Sequence, residues 1–250
     1  MKIDFYKLNF IVLLFATIVS CKKETEVVQF DFGYNYFPDD SGKYVIYKVD
    51  SVIFNDFDPS NLKRFSTQFV KEIVTEEFID NLGRKAKKLE RYISTDTTQP
   101  WQFWNVWYFI KNKTNVEQVE DNIRYVKLIF PLKIDDSWHG NKYFETNHFP
   151  FLDLRYTTTN FDWEYKLTEK DALYSNLNFS SDSTLTILQI ADSSNVQKVY
   201  SLERYSRNVG LVYKELWRLD AQLLNDTQTY ENNSKYGFIV YQRAIRFGKE

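Results

Sequence analysis

Between Tyr44 and Phe54 the side chains change sides at every step. Val45, Tyr47, Val49, Ser51 and Ile53 fall on one face, and Tyr44, Ile46, Lys48, Asp50 and Val52 on the other. A period of two belongs to a pleated strand, and large residues on both faces imply that both are partly covered. The same period returns in Phe69–Ile79 and Ala86–Ile93. These runs are joined by Asp80-Asn81-Leu82-Gly83-Arg84, where Asn and Gly supply the left-handed positions of a tight turn. A chain that spells a hairpin this way commits its neighbours to antiparallel pairing.

Further strands are expected at Trp101–Ile110, opened by Pro100, and at Thr114–Asp121, Arg124–Leu132, Phe161–Thr168, Leu173–Phe179, Thr184–Ala191, Val209–Leu219 and Tyr236–Phe247. Val199, Leu202 and Tyr205 fit helical spacing, so Val199–Ser206 is expected to form a short helix or an irregular end. Aromatics make up 18% of the chain and Gly and Pro number only 7 and 5. That composition suits half-buried pleated surfaces and excludes a disordered chain. With hairpins and no alternation of strand and helix, the expected fold is all-β. It is a long, strongly curved antiparallel sheet, a half-open or closed barrel, with one short helix.

Cys21 is the single cysteine. Before it come a positively charged start, Lys2–Lys7, the mostly apolar run Leu8–Val19, and Ser20. This is the plan of a secretory signal, and the run is too short to span a bilayer. Ile18-Val19-Ser20-Cys21 resembles the lipobox of bacterial lipoproteins. The resemblance implies a diacylglyceryl thioether on Cys21, a further acyl chain such as palmitate on the new N-terminus, and membrane attachment. Residues 1–20 then form the signal peptide, 21–29 a polar tether and 30–250 a single β-rich domain. Lys22 after the cysteine points to the outer membrane by the same resemblance, and Glu24 and Glu26 look like a cell-surface signal.

The charge balance, 32 basic against 34 acidic residues, gives no basic groove, so nucleic acid is not an expected partner. The basic cluster Arg84-Lys85-Ala86-Lys87-Lys88 reads as a solvated hairpin arm. The two histidines, His139 and His148, match no zinc spacing, and no nucleophile elbow exists, so no catalytic residue, metal or cofactor is expected. Asp39-Asp40 and Asp135-Asp136 read as turn residues. Trp101, Trp104, Trp107, Trp138 and Trp163 read either as core or as a stacking platform. The stretch Lys133–Asn160 lacks a pattern, and long loops on a rigid scaffold commonly carry recognition. Within it Trp138, His139, Asn141 and His148 are the candidate recognition residues. The alternative is a loop that plugs one end of the sheet.

Several segments taken together resemble a known group. They are Asp80-Asn81-Leu82-Gly83-Arg84 before Leu89-Glu90-Arg91-Tyr92, then Gln99-Pro100-Trp101, Phe130-Pro131, Trp138 with Gly140-Asn141, Glu203-Arg204-Tyr205 and Val209-Gly210-Leu211-Val212-Tyr213-Lys214-Glu215. The chain resembles an uncharacterised family of Bacteroidota outer-membrane lipoproteins, which implies an address and no activity. Val209-Gly210-Leu211-Val212 is also similar to the start of a late strand in curved-sheet envelope proteins that handle lipids. The expected role is a non-enzymatic, lipid-anchored envelope protein that binds an amphipathic ligand or a protein partner through its curved sheet. A structural subunit of an envelope complex is the alternative, and a glycan-directed module the third reading.

Overall fold

The computed structural model describes residues 30–58, 62–144, 163–225 and 227–250. Phe32–Glu250 make one compact unit. Its described residues form twelve strands: β1 (Lys43–Asn55), β2 (Lys63–Ile79), β3 (Lys85–Ser94), β4 (Gln102–Lys111), β5 (Asn115–Glu120), β6 (Ile123–Ile129), β7 (Ser137–His139), β8 (Glu164–Asn176), β9 (Phe179–Ser193), β10 (Gln197–Ser206), β11 (Gly210–Ala221) and β12 (Ser234–Lys249). All belong to one antiparallel sheet in the order β6-β5-β4-β3-β2-β1-β12-β11-β10-β9-β8-β7. The expected all-β class and curvature hold.

The curvature follows from who touches whom. Phe109, Val116 and Leu128 of β4–β6 share one apolar cluster with Tyr165, Leu167, Leu185, Ile187, Val199 and Tyr205 of β8–β10. Those strands lie at opposite ends of the sheet order, so a flat sheet would hold them far apart. Bulges bend the strands, for example between Ile46 and Tyr47, between Ser201 and Leu202, and between Arg204 and Tyr205. The two edges then meet. The Val126 N–H donates to the Gly140 carbonyl at 2.8 Å, and the Trp138 indole N–H donates to the Val126 carbonyl at 2.8 Å. The sheet is a nearly closed barrel with its seam at β6 and β7.

One end is stoppered by the segment before β1. Gly33 has φ +82, a backbone that L side chains rarely adopt, and a Cβ there would also press on the Leu132 side chain. It starts a 3-10 turn, Tyr34–Tyr36. Tyr36 is fully buried, and its hydroxyl donates to Asp171 on β8 at 2.6 Å. Arg207 and Ser183 donate to the same carboxylate at 2.7 and 2.8 Å. Burial alone would raise that carboxyl, yet the donors Tyr36, Arg207 and Ser183 hold it down at about 2. Asn208 N–H bonds the Asn35 carbonyl at 2.7 Å, closing the stopper against the β10–β11 turn.

Three expectations are corrected. Val199–Ser206 is strand β10, with no helix; Val199, Ser201, Glu203 and Tyr205 alternate into the interior. The short helix is α1 (Tyr230–Asn233), which lays Tyr230 over Phe54, Trp217, Leu219 and Ile239 on the opposite face of the sheet. Phe161–Thr168 and Leu173–Phe179, read as two strands, overlap β8, which runs unbroken from Glu164 to Asn176 through irregular pairing and a left-handed Asp171 (φ +54). The basic arm is also less solvated than its composition implies. Ala86 is buried, and Arg84 bridges Asp80 at 2.8 Å and Glu117 at 3.0 Å.

Because Trp138 ties the seam with both its ring and its N–H, its two roles separate by substitution. Trp138→Phe should cost about 1 kcal/mol, the loss of one hydrogen bond to a carbonyl. Trp138→Ala should cost about 3 kcal/mol, since the ring packed against Tyr165 is also lost. Chemical denaturation of the three proteins measures both steps.

Candidate functional site

The barrel interior carries charge. Glu203 on β10 is fully buried, and Lys127 on β6 is 4% exposed. Lys127 Nζ meets Glu203 Oε1 at 2.6 Å and Glu120 Oε1 at 3.3 Å. Lys214 approaches the same Glu203 oxygen at 3.4 Å, and the Tyr205 hydroxyl donates to the other oxygen at 2.6 Å. Strand geometry arranges this directly. Glu203 and Tyr205 share one face two residues apart, and Lys214 is the cross-strand partner of Glu203. Burial alone would push the Glu203 carboxyl up; Lys127 and Lys214 reverse that and hold it at about 2. Burial acts against the Lys127 ammonium, but Glu203 and Glu120 hold it well above its ordinary value.

A second pair sits along the wall. Arg91 Nε lies 2.9 Å from Glu72 Oε1, both side chains nearly inaccessible. Burial raises the Glu72 carboxyl despite the opposing pull of Arg91. The Arg91 guanidinium also lies 3.4 Å from the Trp107 ring centre and 4.3 Å from that of Trp104. Trp107 is half-buried, whereas Trp104 is 46% exposed. Arg91 therefore holds an exposed indole in place through a cation–π contact.

Between these groups lies a cavity of about 80 Å³, walled by Val45, Tyr47, Val74, Leu89 and Phe109 with Gln118 and Gln242 among its polar groups. Ligand pockets run from about 300 to 1,000 Å³. Lys127 and Lys214 balance Glu203 and Glu120, and Arg91 balances Glu72. The interior thus offers a ligand little room and no spare charge. Among the described residues no cluster of three or more His, Cys, Asp or Glu could hold a metal ion.

The expected recognition residues are divided by the structure. Trp138 and Asn141 converge on Tyr165: the Trp138 ring stands edge-on to it at 6.0 Å, and the Tyr165 hydroxyl donates to Asn141 Oδ1 at 3.0 Å. Asn141 is 5% exposed. His139 is exposed on β7 opposite Glu164. Cys21 and His148 lie outside the described residues. The tryptophans form no common platform, since Trp163 is buried, Trp101, Trp107 and Trp138 are half-buried, and Trp104 is exposed. Asp135 has φ +71 and Asp136 N–H bonds the Lys133 carbonyl, in keeping with the turn reading of that pair. The sequence reading missed Lys127, Glu203 and the Arg91–Trp104 stack. For Lys127 a signal existed: a lone cation inside Val126-Lys127-Leu128.

No family model matches the chain, and no curated protein matches it. A solved structure from Bacteroides fragilis, described as an exported protein with a YmcC-like fold, shares 11% identity over 85% of this chain and 98% of its own, with a TM-score of 0.38. A likeness at that level carries no argument for this chain.

Breaking the interior pair should be costly. Lys127→Met leaves Glu203 buried without its closest counter-charge and should destabilise by about 3–5 kcal/mol, whereas Lys127→Met with Glu203→Leu should recover much of that loss. The pH dependence has a definite sign. Glu203 ordinarily titrates near 4.5 and here near 2, so its contribution is present above about 4.5 and is lost as pH falls toward 2. Melting temperatures from pH 7 down to about 2 should fall more steeply for the wild type than for Glu203→Gln in that window.

Proposed function

We propose that this chain is a non-enzymatic outer-membrane lipoprotein, anchored through Cys21, that serves as a docking subunit for another envelope protein. The observation that carries the reading is the charge-balanced interior, with only about 80 Å³ of space. An acyl chain of lipid size does not fit there, so of the two roles expected for a curved sheet, partner binding is the better supported. The Cys21 lipobox supports the address, and its acyl chains would give stable attachment where one chain alone would not.

Partner recognition then belongs to the exterior. Trp104 is the best single candidate, being exposed and fixed by Arg91, which Glu72 holds in turn. Rigid Trp and Arg side chains dominate the energetics of protein interfaces. His139, beside the seam, and His148 remain candidates for the rim of such an interface.

Native mass spectrometry of the full chain, purified in mild detergent from its own membranes, tests this. The expected result is a stoichiometric protein complex that Trp104→Ala disrupts while its melting temperature stays within about 2 °C of wild type. A monomer carrying a bound lipid other than the Cys21 anchor would overturn the reading. Intact mass tests the anchor: acyl mass should be present on the wild type and absent from Cys21→Ala.

A further inference from the structure

The stoppered end of the barrel carries a patch of exposed apolar side chains. The β8–β9 turn, Asn176-Leu177-Asn178, lifts Leu177 entirely into solvent, at 101% exposure. Leu173 is 81% exposed on the same hairpin, and Phe247, near the end of β12, is 51% exposed. The hairpin lies against the end of β12: the Phe179 ring stands edge-on to Phe247 at 5.8 Å, and Asn176 Nδ2 donates to the Ala244 carbonyl at 3.3 Å. Leu173, Tyr174, Phe179, Val209 and Phe247 line an open groove of about 730 Å³ there. A leucine at the tip of a tight polar turn contributes nothing to the core and is costly to leave in water.

The way the chain enters the barrel says what covers this patch. Phe32 begins the compact unit, and three residues later Asn35 is bonded to Arg207 and Asn208, which line the groove. The chain running from Cys21 therefore joins the barrel at this end. Cys21 and Phe32 are 11 residues apart, a span of at most about 40 Å when fully extended. The 13 residues of β1 cover a similar length, roughly 40 Å, from this end to the other. A barrel tethered to a bilayer by that connection reaches it most readily with the stoppered end.

From this placement we propose that Leu173, Leu177 and Phe247 form a membrane-contact patch, seating the stoppered end of the barrel in the interface of the leaflet that holds the Cys21 anchor. The inference rests on the anchoring reading. Leucine and aromatic side chains at the acyl boundary are the usual means by which a surface-bound protein adds to a lipid anchor. The patch fixes orientation: the opposite end, with Phe57, Phe65 and Leu223 exposed, faces away from the membrane.

The test uses the full chain matured in cells, where an acylated Cys21 leaves no native thiol to react. Leu177→Cys and, at the opposite end, Leu223→Cys are each labelled with an environment-sensitive dye. Both are reconstituted into vesicles of phosphatidylethanolamine and phosphatidylglycerol containing spin-labelled acyl chains. The expected result is quenching at residue 177 at least threefold stronger than at residue 223. Equal quenching, or none at 177, in a protein whose intact mass shows the acylated Cys21 overturns the contact patch and leaves the anchor standing. Should Cys21 carry no acyl mass, the anchoring reading falls. Adding the same vesicles to that protein, with Cys21→Ser in both labelled versions, then decides the patch alone: quenching at 177 sustains it and its absence overturns it.

Discussion

Lys127 and Glu203 meet inside the barrel although their strands, β6 and β10, lie eight places apart in the sheet order. No flat or gently twisted sheet can bring them to 2.6 Å. Each alone would be a charge stripped of water, which costs several kcal/mol. Each is tolerated only when the sheet has curled far enough to supply the other. The pair is therefore conditional on closure, and any register that shifts β10 by one residue turns Glu203 outward and strands the ammonium of Lys127. Buried ion pairs are weak contributors to net stability. Their effect here is on which curled sheet can form, with the apolar cluster of Phe109, Leu128, Leu185 and Tyr205 supplying most of the driving force.

The same pair governs what the interior can do. A barrel of this size could have been an apolar vessel, but Lys127, Glu203, Glu120, Lys214, Arg91 and Glu72 occupy its middle and cancel one another. A guest larger than the cavity would have to displace aromatic side chains or separate paired charges. Arg91 extends this network to the surface, since the guanidinium that neutralises Glu72 also lies over the exposed Trp104 ring.

Strand β1 and the β2–β3 hairpin were legible because their inner faces are apolar or their turn residues explicit. Val45, Tyr47 and Val49, and Asn81 with Gly83, announce themselves by pattern alone. β10 was misread for the opposite reason. Its inward positions are Val199, Ser201, Glu203 and Tyr205, so half of the buried face is polar. A period-two reading sees alternation only where inside means apolar, and the helical spacing of Val199, Leu202 and Tyr205 filled the gap. β8 was split at Asp171 because a strand that accepts a left-handed residue and irregular pairing loses its alternation midway. The contacts that build the interior lay beyond any local pattern. Lys127 and Glu203 are 76 residues apart, and nothing near either names the other. Trp138 stands out in the sequence as an aromatic among polar loop residues, but its carbonyl partner on Val126 is a property of the closed seam.

The stopper connects these parts mechanically. The Asp171 carboxylate receives Tyr36 from the entering chain, Ser183 from β9 and Arg207 from the β10–β11 turn. Three elements that are distant in sequence thus converge on one group, and the guanidinium of Arg207 also lies 4.5 Å from the Tyr36 ring centre. A force applied along the chain before Phe32 is passed through Tyr36 to strands β8 and β9 and to the β10–β11 turn, and not to a single peeling strand. Without these bonds, tension on that segment would draw Tyr36 and Phe37 out of the core cluster and open the end of the barrel. The left-handed Gly33 turns the entering chain into the stopper, against the Leu132 side chain. The stopper and the interior ion pair then act together: the first fastens the entering chain to the end of the barrel, and the second is satisfied only in the register that turns Glu203 inward.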